Sequence, residues 1–247
     1  MLKLMKYEVR KTMFSKVIIL IITALAEIAY LIGVFAKKED IMAWGIMGLT
    51  MCALIGIFYI GIESLIVFHR DLNTKQSYML FLTPNSSYRI LGAKVLENGI
   101  AIFVAGAFFA LLAALDITIG ILYIGGLKEF IDTIQEVIRH VQLQIEIYPE
   151  QILMAFFVTL SSWLLMIVTG YLAIVLSATV LAGKKFSGLL SFALYLLLFG
   201  VSGKLIDLVP EMQNFYLRFG LIMAVTFVII FIMYAVTGWI MEKKLSV

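Results

Sequence analysis

The chain has 247 residues, of which 63% are apolar and 14% charged, and its formal net charge is +3. Soluble domains carry about 25% charged residues, and no polar stretch here is long enough to encode one, so a soluble domain is excluded and nucleic-acid binding has no support. The single cysteine, Cys52, lies in an apolar segment, which excludes a disulfide framework and a cysteine-based metal site. Apolar runs long enough to cross a bilayer recur along the chain. They predict an all-α, polytopic membrane protein with one domain, residues 1–247.

The first sixteen residues combine basic side chains with apolar residues at helical spacing. The basic residues are Lys3, Lys6, Arg10, Lys11 and Lys16. This pattern predicts an amphipathic helix over residues 1–16 that lies at the membrane interface. The apolar run that follows is long, contains Glu27 and lacks a small-residue cleavage site, so we expect no signal-peptide cleavage.

Six apolar segments follow, and each is predicted to be a membrane-spanning helix. They lie near residues 17–36, 42–68, 90–127, 150–181, 186–203 and 215–241. At 1.5 Å per residue the third segment is roughly 55 Å long, which exceeds one crossing. We therefore expect a break near Asp116 or at Gly125-Gly126. Residues 128–148 place apolar and charged side chains on opposite faces of a helix and are predicted to form an amphipathic segment.

The distribution of basic residues predicts the orientation of the chain. If the N-terminus is inside, thirteen of the 19 Lys and Arg residues fall in cytoplasmic segments and six in outer segments. An excess of Lys and Arg on the cytoplasmic side is the rule for membrane proteins. Both termini are therefore predicted to be cytoplasmic, residues 70–85 to form a cytoplasmic connection, and residues 128–148 to be extracellular.

The connection between the second and third spans has the pattern of a short amphipathic helix. Asn73 is a candidate N-cap with Gln76 three residues later, and Pro84 disfavours helical geometry at the residue before it. Between them, the apolar block 78–82 is too short to cross a bilayer and borders water, where such a block needs a partner. We expect a helix that docks a soluble partner. A helix that rests on the lipid headgroups is the alternative.

The same connection carries a family resemblance, through Asp71, Leu80, Leu82, Thr83-Pro84, Arg89 and Lys94. Together with the N-terminal amphipathic helix and six spans, this string resembles permeases of the second type from ATP-binding-cassette (ABC) exporters. The resemblance implies that residues 1–16 form an interfacial elbow helix and residues 70–85 a cytoplasmic coupling helix. It also implies a multi-pass protein of the bacterial plasma membrane.

In that family the coupling helix docks into a groove of a separate ATPase subunit. The docking residues that the resemblance implies here are Arg70, Asp71, Lys75, Tyr78, Met79, Leu80, Phe81, Leu82 and Pro84. The implied partners are ABC ATPase subunits, which bind ATP and Mg²⁺, and a second permease subunit, either identical or different. The implied substrate is an antimicrobial peptide, a drug or a similar amphipathic compound, which the cell exports or is protected against.

Two carboxylates lie inside the predicted spans, Glu27 in the first and Glu63 in the second. A lone carboxylate in hydrocarbon is costly, so each is expected to face other helices or a cavity. Both are candidates for lining a substrate or ion path, and an interhelical hydrogen bond or salt bridge is the alternative. Glu97 and Asp116 lie nearer the ends of their span and are expected to be solvated.

The absence of several motifs narrows the function. The chain has no Gly-x-x-x-x-Gly-Lys-Ser/Thr phosphate loop, so ATP is expected on a partner and no cofactor on this chain. His69 and His140 are predicted to lie on opposite sides of the membrane, and no hydrolase motif occurs, so neither a metal site nor a catalytic residue is expected. Two other functions stay open: an ion-coupled secondary transporter that uses Glu27 and Glu63, and a non-transporting membrane immunity or scaffold protein.

Overall fold

A computed structural model describes residues 2–73, 86–125, 149–180 and 186–245. Regular secondary structure in these ranges is helical throughout. The helices are α1 (Leu2–Ala36), α2 (Glu39–Asn73), α3 (Ser87–Gly120), α4 (Pro149–Val180), α5 (Ser187–Asp207) and α6 (Phe215–Ile240). Five-residue π-helical turns, Ile121–Gly125 and Met241–Leu245, extend α3 and α6. All six helices are long and apolar enough to cross a bilayer, which confirms the prediction of an all-α membrane protein with six such helices.

The helix boundaries differ from the predicted ones at three places. Helix α1 begins at Leu2 and runs without a break past residue 16, where the sequence suggested a division. Helix α2 continues five residues beyond the predicted end at Phe68, as far as Asn73. Helix α3 passes through Asp116 without interruption, so the predicted break at that residue is wrong. The predicted coupling helix from residue 74 onward and the predicted outer segment 128–148 lie outside the described residues.

A tight turn at Lys37 and Lys38 joins α1 to α2. Lys37 has a φ of 50°, in the left-handed region. Its N–H donates to the carbonyl of Val34 at 3.2 Å, and the N–H of Lys38 donates to the carbonyl of Gly33 at 3.0 Å. This pair of bonds is the Schellman motif that ends many helices, with lysine at the position that usually holds glycine.

The chain forms two compact units, and four helices contribute to both. The first unit comprises Met1–Lys11, Ile62–Asn98 and Leu153–Val247, and the second comprises Thr12–Gly61 and Gly99–Ile152. Helices α1, α2 and α3 each have long segments in both units, and α4 has residues 149–152 in the second unit and the rest in the first. Helices α5 and α6 belong to the first unit alone.

Helix α4 forms the centre of the first unit. Among the described spans it has the largest buried share, 67% of its most apolar stretch. Its residues Ile167, Tyr171 and Val175 are fully buried, and they belong to one apolar cluster with Phe68 of α2. Gly170 permits this packing, because a Cβ atom there would overlap the side chain of Leu65. The fold therefore places the end of α2 against the most buried helix of the unit.

The second unit is built on close contact between α1 and α2. The backbone of Tyr30 occupies the space that a Cβ atom on Gly45 would need, so the two helices approach as closely as glycine allows. The Tyr30 hydroxyl donates to the carbonyl of Asp116 at 2.6 Å, which joins α3 to this pair. Gly56 also faces its own chain, since a Cβ atom there would lie 3.1 Å from Ile19.

Several hydroxyl side chains inside the helices are satisfied locally. Each donates to the backbone carbonyl four residues earlier, which removes the cost of an unpaired polar group in hydrocarbon. The residues that do so are Thr23, Thr50, Thr118, Thr159, Thr226, Thr237 and Ser202.

Candidate functional site: a ring of charged side chains

Four charged side chains of the first unit form a closed ring of alternating sign. The Lys94 Nζ atom lies 2.7 Å from Glu8 Oε2 and 2.9 Å from Asp71 Oδ2. The Lys11 Nζ atom lies 2.8 Å from the same Asp71 oxygen and 3.5 Å from Glu8 Oε1. Each lysine therefore bridges both acids, and the four formal charges sum to zero. We call Glu8, Lys11, Asp71 and Lys94 the charge ring.

The charge ring is buried, although its members are among the most strongly hydrated side chains. The side chains of Asp71 and Lys94 are 1% and 2% exposed, and those of Glu8 and Lys11 are 8% and 14% exposed. A buried ion pair offsets its desolvation only when its geometry is good and its polar atoms are satisfied. Removing one partner costs about 3–5 kcal/mol, because the other charge is left buried without compensation. The ring therefore constrains the helices that carry it.

Three helices position the ring. Glu8 and Lys11 stand one turn apart on α1, Asp71 lies in the last turn of α2, and Lys94 lies two turns into α3. Lys94 is also held from the side, since its Nζ atom is 5.6 Å from the centre of the Phe68 ring, within cation–π range. The Phe68 ring in turn meets the ring of Tyr171 edge-on at 4.9 Å. The charge ring is thus anchored to the apolar centre of the first unit.

Buried polar residues continue from the ring along α2 and α3. Glu63 and Ser64 lie two turns before Asp71 on α2, while Glu97 and Asn98 lie one turn after Lys94 on α3. All four are 6% exposed or less. The Ser64 hydroxyl makes a short hydrogen bond to the Tyr171 hydroxyl of α4. The prediction that Glu97 is solvated is wrong, because these side chains together form a polar seam inside the unit.

Asp71 belongs to the predicted coupling helix, residues 70–85, and Lys94 follows that segment along the chain. Asp71 comes three residues before residue 74, and Lys94 follows residue 85 by nine positions. Of the predicted docking residues, the structure describes two: Arg70 is exposed, whereas Asp71 is held in the ring. The docking role of Asp71 stays a prediction, but in this structure both lysines contact its carboxylate. The others lie outside the described residues: Lys75, Tyr78, Met79, Leu80, Phe81, Leu82 and Pro84.

A second polar contact occurs within the second unit, between Glu27 and Asp116. Their carboxyl groups lie close to each other. Each also keeps one buried oxygen, Glu27 Oε2 and Asp116 Oδ1, that has no hydrogen-bond partner among the described residues. Asp116, which was expected to be solvated, is half-buried. Glu63, the other predicted path-lining residue, is buried in the first unit.

Helices α1 and α2 also line an open groove of about 970 Å³ in the second unit. Its walls are almost entirely apolar and include Ile22, Leu25, Ile55 and the lone cysteine, Cys52. Such a surface suits lipid chains, which are as apolar as the side chains that form it. Over the described part of the chain, no group of three or more His, Cys, Asp or Glu residues could hold a metal ion.

The sequence pattern alone did not reveal the ring. Glu8 precedes Lys94 by 86 positions, and each of the four residues stands near the end of an apolar segment, where a charge is ordinarily solvated. The available signal was periodicity: Glu63 and Asp71 share one face of α2, and Lys94 and Glu97 share one face of α3. Facing polar stripes on two helices indicate a buried polar contact.

Comparison with family models, with curated proteins and with solved structures found no match to this chain. The functional proposal therefore depends on the geometry of the described helices and on the residue pattern of the chain itself.

Proposed function

We propose that this chain is the membrane-spanning permease subunit of an ABC exporter of the bacterial plasma membrane. Residues 70–85 would dock a separate ATPase subunit, and closure of that ATPase on ATP would rearrange the spans. The cargo class is an antimicrobial peptide, a drug or a similar amphipathic compound. Two permease subunits and two ATPase subunits would make the working complex, with ATP and Mg²⁺ bound only by the ATPases.

The charge ring is the observation that most supports this proposal. A docking helix can transmit force only if both of its ends are fixed to the helices that it moves. Here α2 and α3, which flank residues 74–85, are tied to each other through the 2.9 Å contact between Asp71 and Lys94. The six long apolar helices and the apolar block 78–82 add further support.

The proposal is tested by purification of the chain in mild detergent with its neighbouring reading frames co-expressed. We expect an ATPase with a phosphate loop to co-purify with the wild type and to be lost from Phe81→Asp, because a charge cannot occupy an apolar docking pocket. Phe186→Asp is the matched control: Phe186 is 72% exposed and is predicted to lie on the same side of the membrane. Equal loss of the ATPase from both variants would argue against docking through residues 74–85.

An ion-coupled carrier is the second candidate, and the contact between Glu27 and Asp116 is the observation that favours it. Neighbouring carboxyl groups inside a span are typical of proton pathways. In this candidate the pair replaces the predicted combination of Glu27 with Glu63, because Glu63 belongs to the other unit. It predicts solute movement driven by a proton gradient without ATP, which is lost in Glu27→Gln.

A further inference from the structure

We infer that the charge ring is a joint that makes the N-terminal turns of α1 move together with the segments of α2 and α3 that flank residues 74–85, and that Lys94 is its positioning residue. This inference rests on the proposed function for the identity of the driving partner, the ATPase. The rigid connection itself is a property of this chain alone. The sequence indicated the first turns of α1 only as an interfacial anchor. This connection gives those turns a role in the coupling mechanism.

The charge ring joins three helices. Its members come from the segments of α1, α2 and α3 that lie in the first unit. The same three helices continue into the second unit. Helix α1 does so after Lys11, α3 after Asn98, and α2 on the N-terminal side of Ile62. Within the first unit, Glu8 and Lys11 bind the start of α1 to α2 and α3.

The charge ring is closed, so that each of its side chains has two partners. A single ion pair can swing as its two side chains change rotamer, whereas each lysine here is fixed by two acids and each acid by two lysines. Lys94 also touches the ring of Phe68 and is almost completely buried. Four mutual contacts and burial leave few alternative rotamers, so the three helix segments behave as one rigid body.

The order of the charges around the ring distinguishes a ring that acts as a unit from an isolated ion pair. Exchanging only Asp71 and Lys94 would place two acids together at residues 8 and 94, and two bases together at residues 11 and 71. Inverting all four residues restores alternation at every contact. If the ring acts as a unit, only the fourfold inversion can replace it. If Asp71 and Lys94 act as an isolated pair, the twofold exchange suffices.

The experiment measures the distance between spin labels on α1 and α3. The labels are placed at Lys6→Cys and Leu96→Cys in a Cys52→Ala background, since both sites are exposed and lie in the first unit. In lipid nanodiscs we expect a narrow distribution that becomes at least twofold broader in Lys94→Met. It stays narrow in Lys94→Arg and in Arg10→Met, which removes an exposed charge from the same part of α1.

Two further variants complete the test. The fourfold inversion (Glu8→Lys, Lys11→Glu, Asp71→Lys, Lys94→Glu) is expected to restore the narrow distribution, and the exchange of Asp71 and Lys94 alone is not. If Lys94→Met fails to accumulate, Lys11→Met is measured instead, because Asp71 then keeps its contact with Lys94. An unchanged distribution in the lysine variants, or full rescue by the twofold exchange, would overturn the inference.

The last measurement adds the co-purified ATPase and ATP. With an intact ring we expect the distance to stay constant on ATP binding, and with Lys94→Met we expect it to shift while the ATPase still co-purifies. A shift in the intact protein would overturn the role as a joint. Absence of any co-purifying ATPase would contradict the proposed function and the coupling role together, and the distributions of the chain alone would still decide whether the ring is rigid.

Discussion

Lys37 is the one described residue other than glycine with a positive φ, and its conformation has a definite cost. The left-handed region costs a residue with a Cβ atom about 1–2 kcal/mol, whereas glycine adopts it freely. Glycine in turn loses about 0.5–1 kcal/mol more conformational freedom on folding. The balance favours glycine at this single position.

We therefore predict that Lys37→Gly raises the free energy of unfolding by about 0.5–1 kcal/mol. Denaturation of the purified protein in mixed micelles measures the change. Lys38→Gly is the control, because it removes the same charge from the same turn at a residue without positive φ, and it is expected to lower stability slightly. Equal effects of the two substitutions would show that the lost charge, rather than backbone strain, determines the change in the free energy of unfolding.

The charge ring shows at the residue scale what sequence patterns can and cannot predict. Asp71 and Lys94 were recognised as members of one motif, but the motif gave no reason to place them in contact with Glu8 or Lys11. Charges at the ends of apolar segments are usually solvated, and only the tertiary packing of α1, α2 and α3 removes these four from water. Burial that depends on residues 86 positions apart has no local signature.

Individual helices were far easier to predict, because hydrocarbon thickness sets a minimum apolar length. The start of α6 at Phe215 matched the expected boundary. Asn214 caps α6 by accepting hydrogen bonds from the N–H groups of Tyr216 and Leu217. The start of α1 and the end of α2 were predicted less well, since there the helix continues into polar residues that contacts with other helices stabilise.

Contact between α1 and α2 gives a test at the scale of the helix pair. A Cβ atom on Gly45 would lie 2.5 Å from the Tyr30 Cα atom, so Gly45→Ala must push the helices apart. Overpacking of this kind costs about 1–3 kcal/mol. On α3, nothing lies within 4 Å of the corresponding position on Gly106. Gly106→Ala should therefore stabilise its helix, by about 1 kcal/mol.

The two substitutions add the same methyl group to glycines of the same unit, and they are predicted to change stability in opposite directions. Thermal unfolding of the protein in one detergent measures both. A loss of stability in Gly106→Ala similar to that in Gly45→Ala would mean that an added methyl group is harmful at either position. The contact between α1 and α2 would then have no special role.

At the scale of the whole molecule, the helices shared by the two units and the charge ring belong together. Four helices have residues in both compact units, and the charge ring binds three of them, α1, α2 and α3, together within the first unit. Residues 74–85, which the sequence predicts to dock an ATPase, connect two of them. A permease driven from outside the membrane needs such a connection, because ATP binding on a separate subunit can act on the spans only through the segment that it contacts.

The mass of the intact complex is the most direct test of the proposal that this chain is the permease subunit of an ABC exporter. The chain is purified in mild detergent with its neighbouring reading frames co-expressed and is measured by native mass spectrometry, with Phe81→Asp in parallel. The account predicts two copies of the chain with two copies of a phosphate-loop ATPase, and a mutant without the ATPase. A wild-type chain that purifies without any ATPase and moves solute along a proton gradient, with loss of that activity in Glu27→Gln, would contradict it.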